Sequence, residues 1–474
     1  MKSDSPKAIA KEIVARLQAA GFAAFWVGGC VRDFLLGREP TDFDIATDAR
    51  PEQIEKLFPK TIPVGRKFGV IIVLEHGQQF QVATFRAEAD YQDGRRPEKI
   101  IFANAEADAL RRDFTVNGLF YDPLTEKIHD WVGGEYDLRA KIIRTIGAPA
   151  ERFGEDHLRL LRAVRFAARL GFEIEVKTFS AIQSLAPKIQ IISAERVRDE
   201  LIKLFAPPVV GQASCLSSSC RKQVQSSEEL DRQDACPTTA ARGLVLLRES
   251  GLLEHILPEL AATVDCEQSP DFHPEGSVFN HICLMLKKMP ADASESLPWA
   301  VLLHDIAKPV TAEGDAATGQ IHFYGHEKVG AEMAEKILQR LKFPNKQTDE
   351  IVAVVRHHMQ FKDVTQMRKS TLRRLLMRAT FPLELELHRL DCLGSNGDLE
   401  HFNFLVAQAE ELKKLPEIVP SLLNGNDLLA LGVAPGKPVG AMLHELRERQ
   451  LADEIKTPDA ARDWVKNFLT ASPR

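Results

Sequence analysis

The sequence predicts an α+β protein, with a small mixed sheet near the N-terminus followed by a long, mostly helical remainder. Three observations carry this. The chain has 474 residues, more than one hydrophobic core usually organises, so three or four domains are expected. Its short strand-like runs, bounded by glycines, fall mainly within the first 140 residues. Beyond about residue 155 the apolar positions recur at helical spacing nearly throughout, apart from a short strand candidate at 320–323.

Taken in order, Ile9, Ile13, Val14 and Leu17 form a helical stripe that stops at Gly21. Residues 22–27 then read as a strand feeding Gly28-Gly29. Two apolar runs, 70–74 and 80–85, flank His76-Gly77 and predict a hairpin. Helices are expected from Glu155 to Gly171 and over 194–205. The predicted boundaries are a head at 1–140, a helical neck at 141–265, a histidine-rich helical domain at 266–395 and a helical tail at 396–474.

Composition narrows the class. Hydrophobic content of 44% and charged content of 27% are ordinary globular values, and the formal net charge is -6. A nucleic-acid-binding protein of this charge must gather its Lys and Arg on one face. The N-terminal segment lacks the apolar core of a signal peptide, and no apolar run is long enough to span a bilayer. Seven cysteines without a Cys-x-x-Cys pair argue against a disulfide framework or a cysteine-rich zinc site. These features together predict a cytoplasmic protein with no membrane partner; they leave oligomeric state open.

Residues 207–242 interrupt the helical pattern. The stretch is rich in Ser, Gln and Cys, holds Cys215, Cys220 and Cys236, and has no apolar period. Its cysteine spacing fits no common zinc module. Val210-Gly-Gln-Ala-Ser-Cys215 and Gln233-Asp-Ala-Cys-Pro-Thr238 can be encoded by complementary DNA strands. We read the stretch as an in-frame palindromic insertion encoding a disordered surface excursion, which non-complementary codons in the gene would refute.

The chemistry concentrates in Thr41-Asp-Phe-Asp44, behind Gly28-Gly-Cys-Val-Arg-Asp33. On an extended strand Asp42 and Asp44 point to one face. Carboxylates so placed can hold paired Mg²⁺ ions for nucleotidyl transfer. Gly28 and Gly29 let backbone N–H groups approach phosphate oxygens, and Arg32 adds a cation. Together with Arg111-Arg-Asp-Phe-Thr-Val-Asn117, Gly133-Gly-Glu-Tyr-Asp-Leu138 and Glu155-Asp-His-Leu-Arg159, these motifs resemble the class II tRNA nucleotidyltransferases, the CCA-adding enzymes and their poly(A) polymerase relatives. The resemblance covers residues 20–265 apart from the insertion.

It implies a polymerase-β-like nucleotidyltransferase head that adds C and A from CTP and ATP to tRNA without a template. Asp42 and Asp44 would be the catalytic, Mg²⁺-binding pair; Gly28, Gly29 and Arg32 would hold the triphosphate, with Arg112, Asp113 and Asn117 near sugar and phosphates. Asp156 and Arg159, expected one turn apart on a helix, can present an acceptor and a donor to the edges of cytosine and adenine. Arg162 is expected either to contact phosphate or base, or to brace Asp156. The polar segment Tyr91–Pro97 matches the flexible loop of CCA-adding members. One departure is Gln81, where many relatives carry an acid: either the two aspartates suffice or activity is reduced. An A-adding or poly(A) enzyme shares all these motifs.

A second constellation follows. His304-Asp305, in Val301-Leu-Leu-His-Asp-Ile-Ala-Lys308, resembles the HD phosphohydrolase signature. His281 precedes it, while His326, the pair His357-His358 and Asp391 follow. Six of the fourteen histidines are 281, 304, 322, 326, 357 and 358, and all but His322 fit the ligand order. The expected ligands are His281, His304, Asp305, His326, His357 and Asp391, with His358 the alternate. This donor set suits Ni²⁺, Mn²⁺, Fe²⁺ or Zn²⁺, and hydrolysis of a phosphomonoester or 2′,3′-cyclic phosphate. An alternative reading leaves the transferase site idle and the hydrolase working.

Overall fold

Ser5 accepts a hydrogen bond from the Ala8 backbone N–H at 3.3 Å, and Pro6 follows it, so the first helix, α1 (Pro6–Ala19), starts where its orphan donors are answered. Its buried face is Ile9, Ala10, Ile13, Val14 and Leu17. This computed structural model describes residues 5–63, 65–87, 101–207, 239–269, 273–314, 321–414 and 421–471. Segment 91–97 and nearly all of the 207–242 stretch lie outside the described residues. The chain divides into two compact units. The first is Met1–Ala261 with Pro290–Asp292 and Arg340–Phe343, and the second comprises the rest.

The first unit opens with β1 (Ala24–Val27), α2 (Gly29–Leu35), β2 (Ile45–Thr47), α3 (Pro51–Leu57), β3 (Thr61–Ile62), β4 (Val70–Glu75) and β5 (Gln78–Thr84). A short antiparallel pair, β6 (Arg86–Ala87) and β7 (Ile101–Phe102), precedes α4 (Ala105–Leu110), β8 (Phe120–Asp122) and β9 (Lys127–His129). The main sheet has the order β3-β4-β5-β2-β1-β8-β9. Only β2 and β5 pair in parallel within it, so the sheet is mixed. The β4–β5 hairpin turns on His76 (φ 50°) and Gly77 (φ 77°), two left-handed residues whose twist suits a two-residue connection. Val27, Ala46, Phe85, Ala109 and Phe120 pack beneath the sheet.

Next come α5 (Gly134–Ala140), β10 (Ile142–Ile143), α6 (Pro149–Glu155), α7 (Leu158–Leu170), β11 (Glu173–Ile174), α8 (Val176–Leu185), α9 (Ala194–Phe205), α10 (Thr239–Glu249), α11 (Leu252–Ile256) and α12 (Pro258–Ala261). The helix expected from Glu155 starts later, at Leu158, because Glu155 is the last residue of α6. Asp156 is extended (φ -151°, ψ 104°), and its Oδ1 accepts from the Leu158 N–H at 3.1 Å. A short polar side chain that bonds its own backbone ends one helix and starts the next. Asp156 and Arg159 therefore do not share a helical face. Gly171, at φ 72°, closes α7.

The second unit is almost wholly helical: α13 (Val278–Lys287), α14 (Leu297–Leu303), α15 (Lys308–Thr311), α16 (His326–Arg340), α17 (Asn345–His357), α18 (Lys369–Leu376), α19 (Phe381–Gly394), α20 (Glu400–Lys414), α21 (Gly425–Ala430), α22 (Lys437–Leu451) and α23 (Pro458–Ala471). The strand expected near 320–323 is β13 (Ile321–Phe323), antiparallel to β12 (Ala312–Gly314). The last three helices enclose a core of their own around Leu428, Met442, Leu446 and Val465. Among the described residues, no helix is long and apolar enough to cross a membrane.

Candidate nucleotidyltransferase and metal sites

Asp42 and Asp44 lie in the extended lead-in to β2 rather than within the strand itself. Phe43 between them is buried against Trp26, ring centroids 4.8 Å apart, while both carboxylates face solvent. The Asp44 carbonyl accepts from the Val27 N–H at 3.0 Å, tying the pair to the end of β1 and the glycine turn. Although Asp44 is open by surface area, the protein mass around it desolvates its carboxyl and raises its pKa. Arg112 opposes that shift, and the Asp42 charge adds to it. Two such carboxylates suit a divalent cation. Ile45 pairs with Val82 in the parallel β2–β5 register. One residue earlier, Gln81 therefore stands level with Asp44 and is exposed, so an amide occupies the place where a third acid would sit.

Gly28 has φ +72°, and a Cβ there would meet Arg112 Nη1 at 3.0 Å. The position needs glycine both for its backbone and for this approach. Cys30 is a core residue. Its thiol donates to the Val27 carbonyl at 3.2 Å, and burial, with Asp44 nearby, pushes its pKa up to about 12.

A chain of polar side chains links the remaining predicted residues. Arg32 Nη1 donates to Asn117 Oδ1 at 2.7 Å, and Arg32 also pairs with Asp33. Asn117 Nδ2 donates to Asp113 Oδ1 at 3.3 Å. Arg162 grips Asp113 Oδ2 through Nε and Nη2 at 2.9 and 2.6 Å. Burial disfavours a charged Asp113, but the Arg162 guanidinium outweighs it and holds the carboxyl below its ordinary range. Arg162 thus braces Asp113, not Asp156. Arg112 is aimed by Asp108, which also holds Arg111.

Asp156 is held by Arg196, whose Nη2 donates to Oδ2 at 2.6 Å. Arg159 donates to the Arg152 carbonyl at 2.7 Å and to the Glu155 carboxylate. The two are neighbours that face different partners. Sequence reasoning missed Glu155, Arg196 and Glu200, the last of which takes Arg165 at 2.9 Å. Glu155 pairs locally with Arg159, whereas the partners of Arg196 and Glu200 lie 35 to 40 positions away, outside their own helix.

The second centre is buried. His281 Nε2 lies 3.0 Å from Asp391 Oδ1, and its Nδ1 lies 2.7 Å from Glu275 Oε1. Burial lowers the His281 pKa, yet the carboxylate at each ring nitrogen outweighs that and pushes it up to about 9. His304 Nε2 sits 3.1 Å from Asp305 Oδ2 but has no aligned hydrogen-bond partner. His326 Nε2 and His358 Nε2 approach to 3.1 Å, while each Nδ1 is committed to a backbone carbonyl. His281, His304 and Asp305 form one group with ligand atoms close enough for a single ion, and Asp305, His326 and His358 form another. Converging nitrogen lone pairs around shared carboxylates fit divalent transition metals.

The structure corrects one expected ligand. His357 turns its Nδ1 to Glu384 Oε1 at 3.1 Å, and His358 takes the inward place. Lys308, also missed, donates to Asp305 at 2.7 Å and to Gln268 at 2.6 Å. His322 stacks on Tyr324 and joins neither group.

Residues 24–144 match the family model of the poly(A) polymerase head domain, and 278–393 match the HD domain. Residues 171–210 match the model described as a probable RNA and SrmB-binding site of polymerase A. The CCA-adding enzyme of Geobacillus kaustophilus is 46% identical over 202 residues, covering 42% of this chain and 50% of that protein. That of Staphylococcus saprophyticus is 45% identical over 196 residues, covering 41% and 49%. These matches span about half the length of each curated relative. The crystal structure of Bacillus stearothermophilus CCA-adding enzyme in complex with CTP superposes with a TM-score of 0.69 at 26% identity, covering 99% of this chain and 98% of that one.

Along its length the chain is thus similar to CCA-adding enzymes, and its head segment to the poly(A) polymerase head domain. The Thermotoga maritima CCA-adding enzyme complexed with tRNA, at 17% identity and a TM-score of 0.57 over 99% of this chain and 97% of that one, shares the fold. The segments 24–144 and 278–393 match two domain families that generally use divalent metals.

Proposed function

We propose that this chain extends the 3′ end of tRNA with C and A from CTP and ATP, without a nucleic-acid template. The observation that carries this is the continuous constellation of Asp42, Asp44, Gly28, Gly29, Arg32, Arg112, Asp113 and Asn117, on a fold matched along its whole length by a CTP-binding relative. The terminal 3′-hydroxyl oxygen attacks the α-phosphorus of the nucleotide, and the bond to pyrophosphate breaks. Asp42 and Asp44 would hold Mg²⁺, which would supply positive charge to the triphosphate and make the attacking hydroxyl more acidic. Backbone N–H groups around Gly28 and Gly29, with Arg32 and Arg112, receive the phosphates. The Arg162–Asp113–Asn117–Arg32 chain fixes that cationic floor before the substrate arrives.

Base choice falls to Asp156 and Arg159. Asp156 accepts from the exocyclic amine shared by cytosine and adenine, and Arg159 donates to a ring nitrogen or carbonyl. Arg196 and Glu155 hold these two side chains apart, so each is presented separately instead of cancelling in a mutual ion pair. The test is incubation of purified protein with tRNA lacking its tail, offering CTP, ATP or both. Addition of two C and one A, resolved by product length, supports the reading. Runs of A alone indicate the poly(A) activity of the same family.

The His/Asp cluster favours a second activity in the same chain, hydrolysis of a phosphomonoester or 2′,3′-cyclic phosphate. His281, His304, Asp305 and Asp391, with His326 and His358, would hold Ni²⁺, Mn²⁺, Fe²⁺ or Zn²⁺, which supplies an activated water. Lys308, paired with Asp305, keeps a cation beside the site. Hydrolysis of a cyclic-phosphate RNA end that depends on added metal and is lost in His304→Ala tests this.

A further inference from the structure

The imidazoles of the second centre are not all oriented in the same way. His304, His326 and His358 each place Nδ1 on the backbone carbonyl three residues earlier, those of Val301, Phe323 and Val355, at 2.6–2.9 Å. His281 lies inside α13, where the preceding carbonyls are spent on the helix ladder. Its Nδ1 instead meets a carboxylate, Glu275 Oε1, at 2.7 Å. The side chains of His281 and Glu275 are 0% and 6% exposed.

Glu275 is held in a fixed turn. The Gly276 N–H bonds the His273 carbonyl at 3.1 Å, and Gly276 takes φ +89°. Asn280 Nδ2 donates to the Glu275 carbonyl at 3.2 Å, and Ser277 caps the helix through the Asn280 N–H. The same Oε1 also meets His273 Nδ1 at 2.9 Å, while Oε2 is buried without a hydrogen-bond partner. A buried carboxylate bonded to a metal-facing imidazole fixes its tautomer and makes it a stronger donor.

We propose that Glu275 is a positioning residue for the HD metal centre: it binds the Nδ1–H of His281, aims Nε2 at the cluster and raises its affinity for a divalent metal. This rests on the reading of that cluster as a metal site. The test uses the full-length chain stripped with chelator and titrated with Co²⁺ or Ni²⁺ against a chromophoric competitor. Circular dichroism and thermal unfolding of the metal-free proteins run alongside.

Glu275→Gln keeps shape and loses charge, and is expected to weaken binding about tenfold; Glu275→Ala is expected to approach a hundredfold. Both should fold like the wild type, and the visible spectrum of bound Co²⁺ should change. Wild-type affinity and spectrum in both folded variants would overturn the role of Glu275 while leaving the metal site standing. A purely structural residue would lower the thermal transition without moving the affinity of the folded protein, which also overturns it. No metal binding by the wild type itself would remove the underlying reading instead.

Discussion

At the level of single residues, the Asp-x-Asp spacing and the glycine turn were legible because both depend on neighbours in sequence. Gln81 was legible as a departure, and the β2–β5 register gives it a place, level with Asp44. A glutamate there would add a third charge to the cation site. We expect Gln81→Glu to lower the Mg²⁺ concentration for half-maximal nucleotide incorporation several-fold; an unchanged Mg²⁺ profile would contradict the geometry. Asp156 is different, because its partner Arg196 lies on another helix and no local pattern announces it. Losing one charge-assisted hydrogen bond to the base costs about 1.5–3 kcal/mol. Asp156→Ala should therefore lower kcat/KM for CTP and ATP by roughly 10- to 100-fold and narrow the preference over UTP and GTP. Retained discrimination would show that base choice lies elsewhere.

Elements decide which of two adjacent candidates faces a site. His357 and His358 are indistinguishable by spacing, since one residue of helix rotates the side chain by about 100° and the helix phase is not readable to that accuracy. The end of α17 at His357, followed by a tighter turn from His358 to Phe361, sets which one turns inward. The start of α7 was placed three residues early, at Glu155, although Asp followed by an apolar run is a known helix start. Packing of α13 against α19 adds a further test. A Cβ at Gly394 would lie 3.2 Å from His281 Cε1 and 3.0 Å from Met285 Cγ. His281 is buried and held at both ring nitrogens, so it cannot yield. Gly394→Ala should lower the thermal transition and weaken metal binding, whereas wild-type values for both would show that the helices can separate freely.

For the whole molecule, the division into a sheet-containing head and a helical remainder was legible from the change of hydrophobic period. The order of strands was not, because β2 and β5 meet in parallel across more than thirty residues of intervening chain. The ion pairs that join distant segments also set an acid limit. Burial disfavours ionised Asp108 and Asp113, but Arg112 and Arg111, and Arg162, respectively, outweigh it and hold both pKa values below normal. Such carboxylates contribute stability that is present above the unfolded pKa of about 4 and lost as pH falls through the lower folded value. These groups should leave the unfolding temperature flat between about pH 8 and 5 and lower it below about pH 4. A transition unchanged down to pH 3 would contradict this.

The central claim is that Asp42 and Asp44 carry nucleotide transfer to an RNA 3′ end. The most direct measurement compares wild type, Asp42→Ala and Asp44→Ala in CTP and ATP incorporation on tRNA lacking its tail, with cyclic-phosphate hydrolysis measured on the same preparations. Incorporation should fall about a thousandfold or more in both variants while hydrolysis is retained. Incorporation within a few-fold of wild type in either variant would contradict the account.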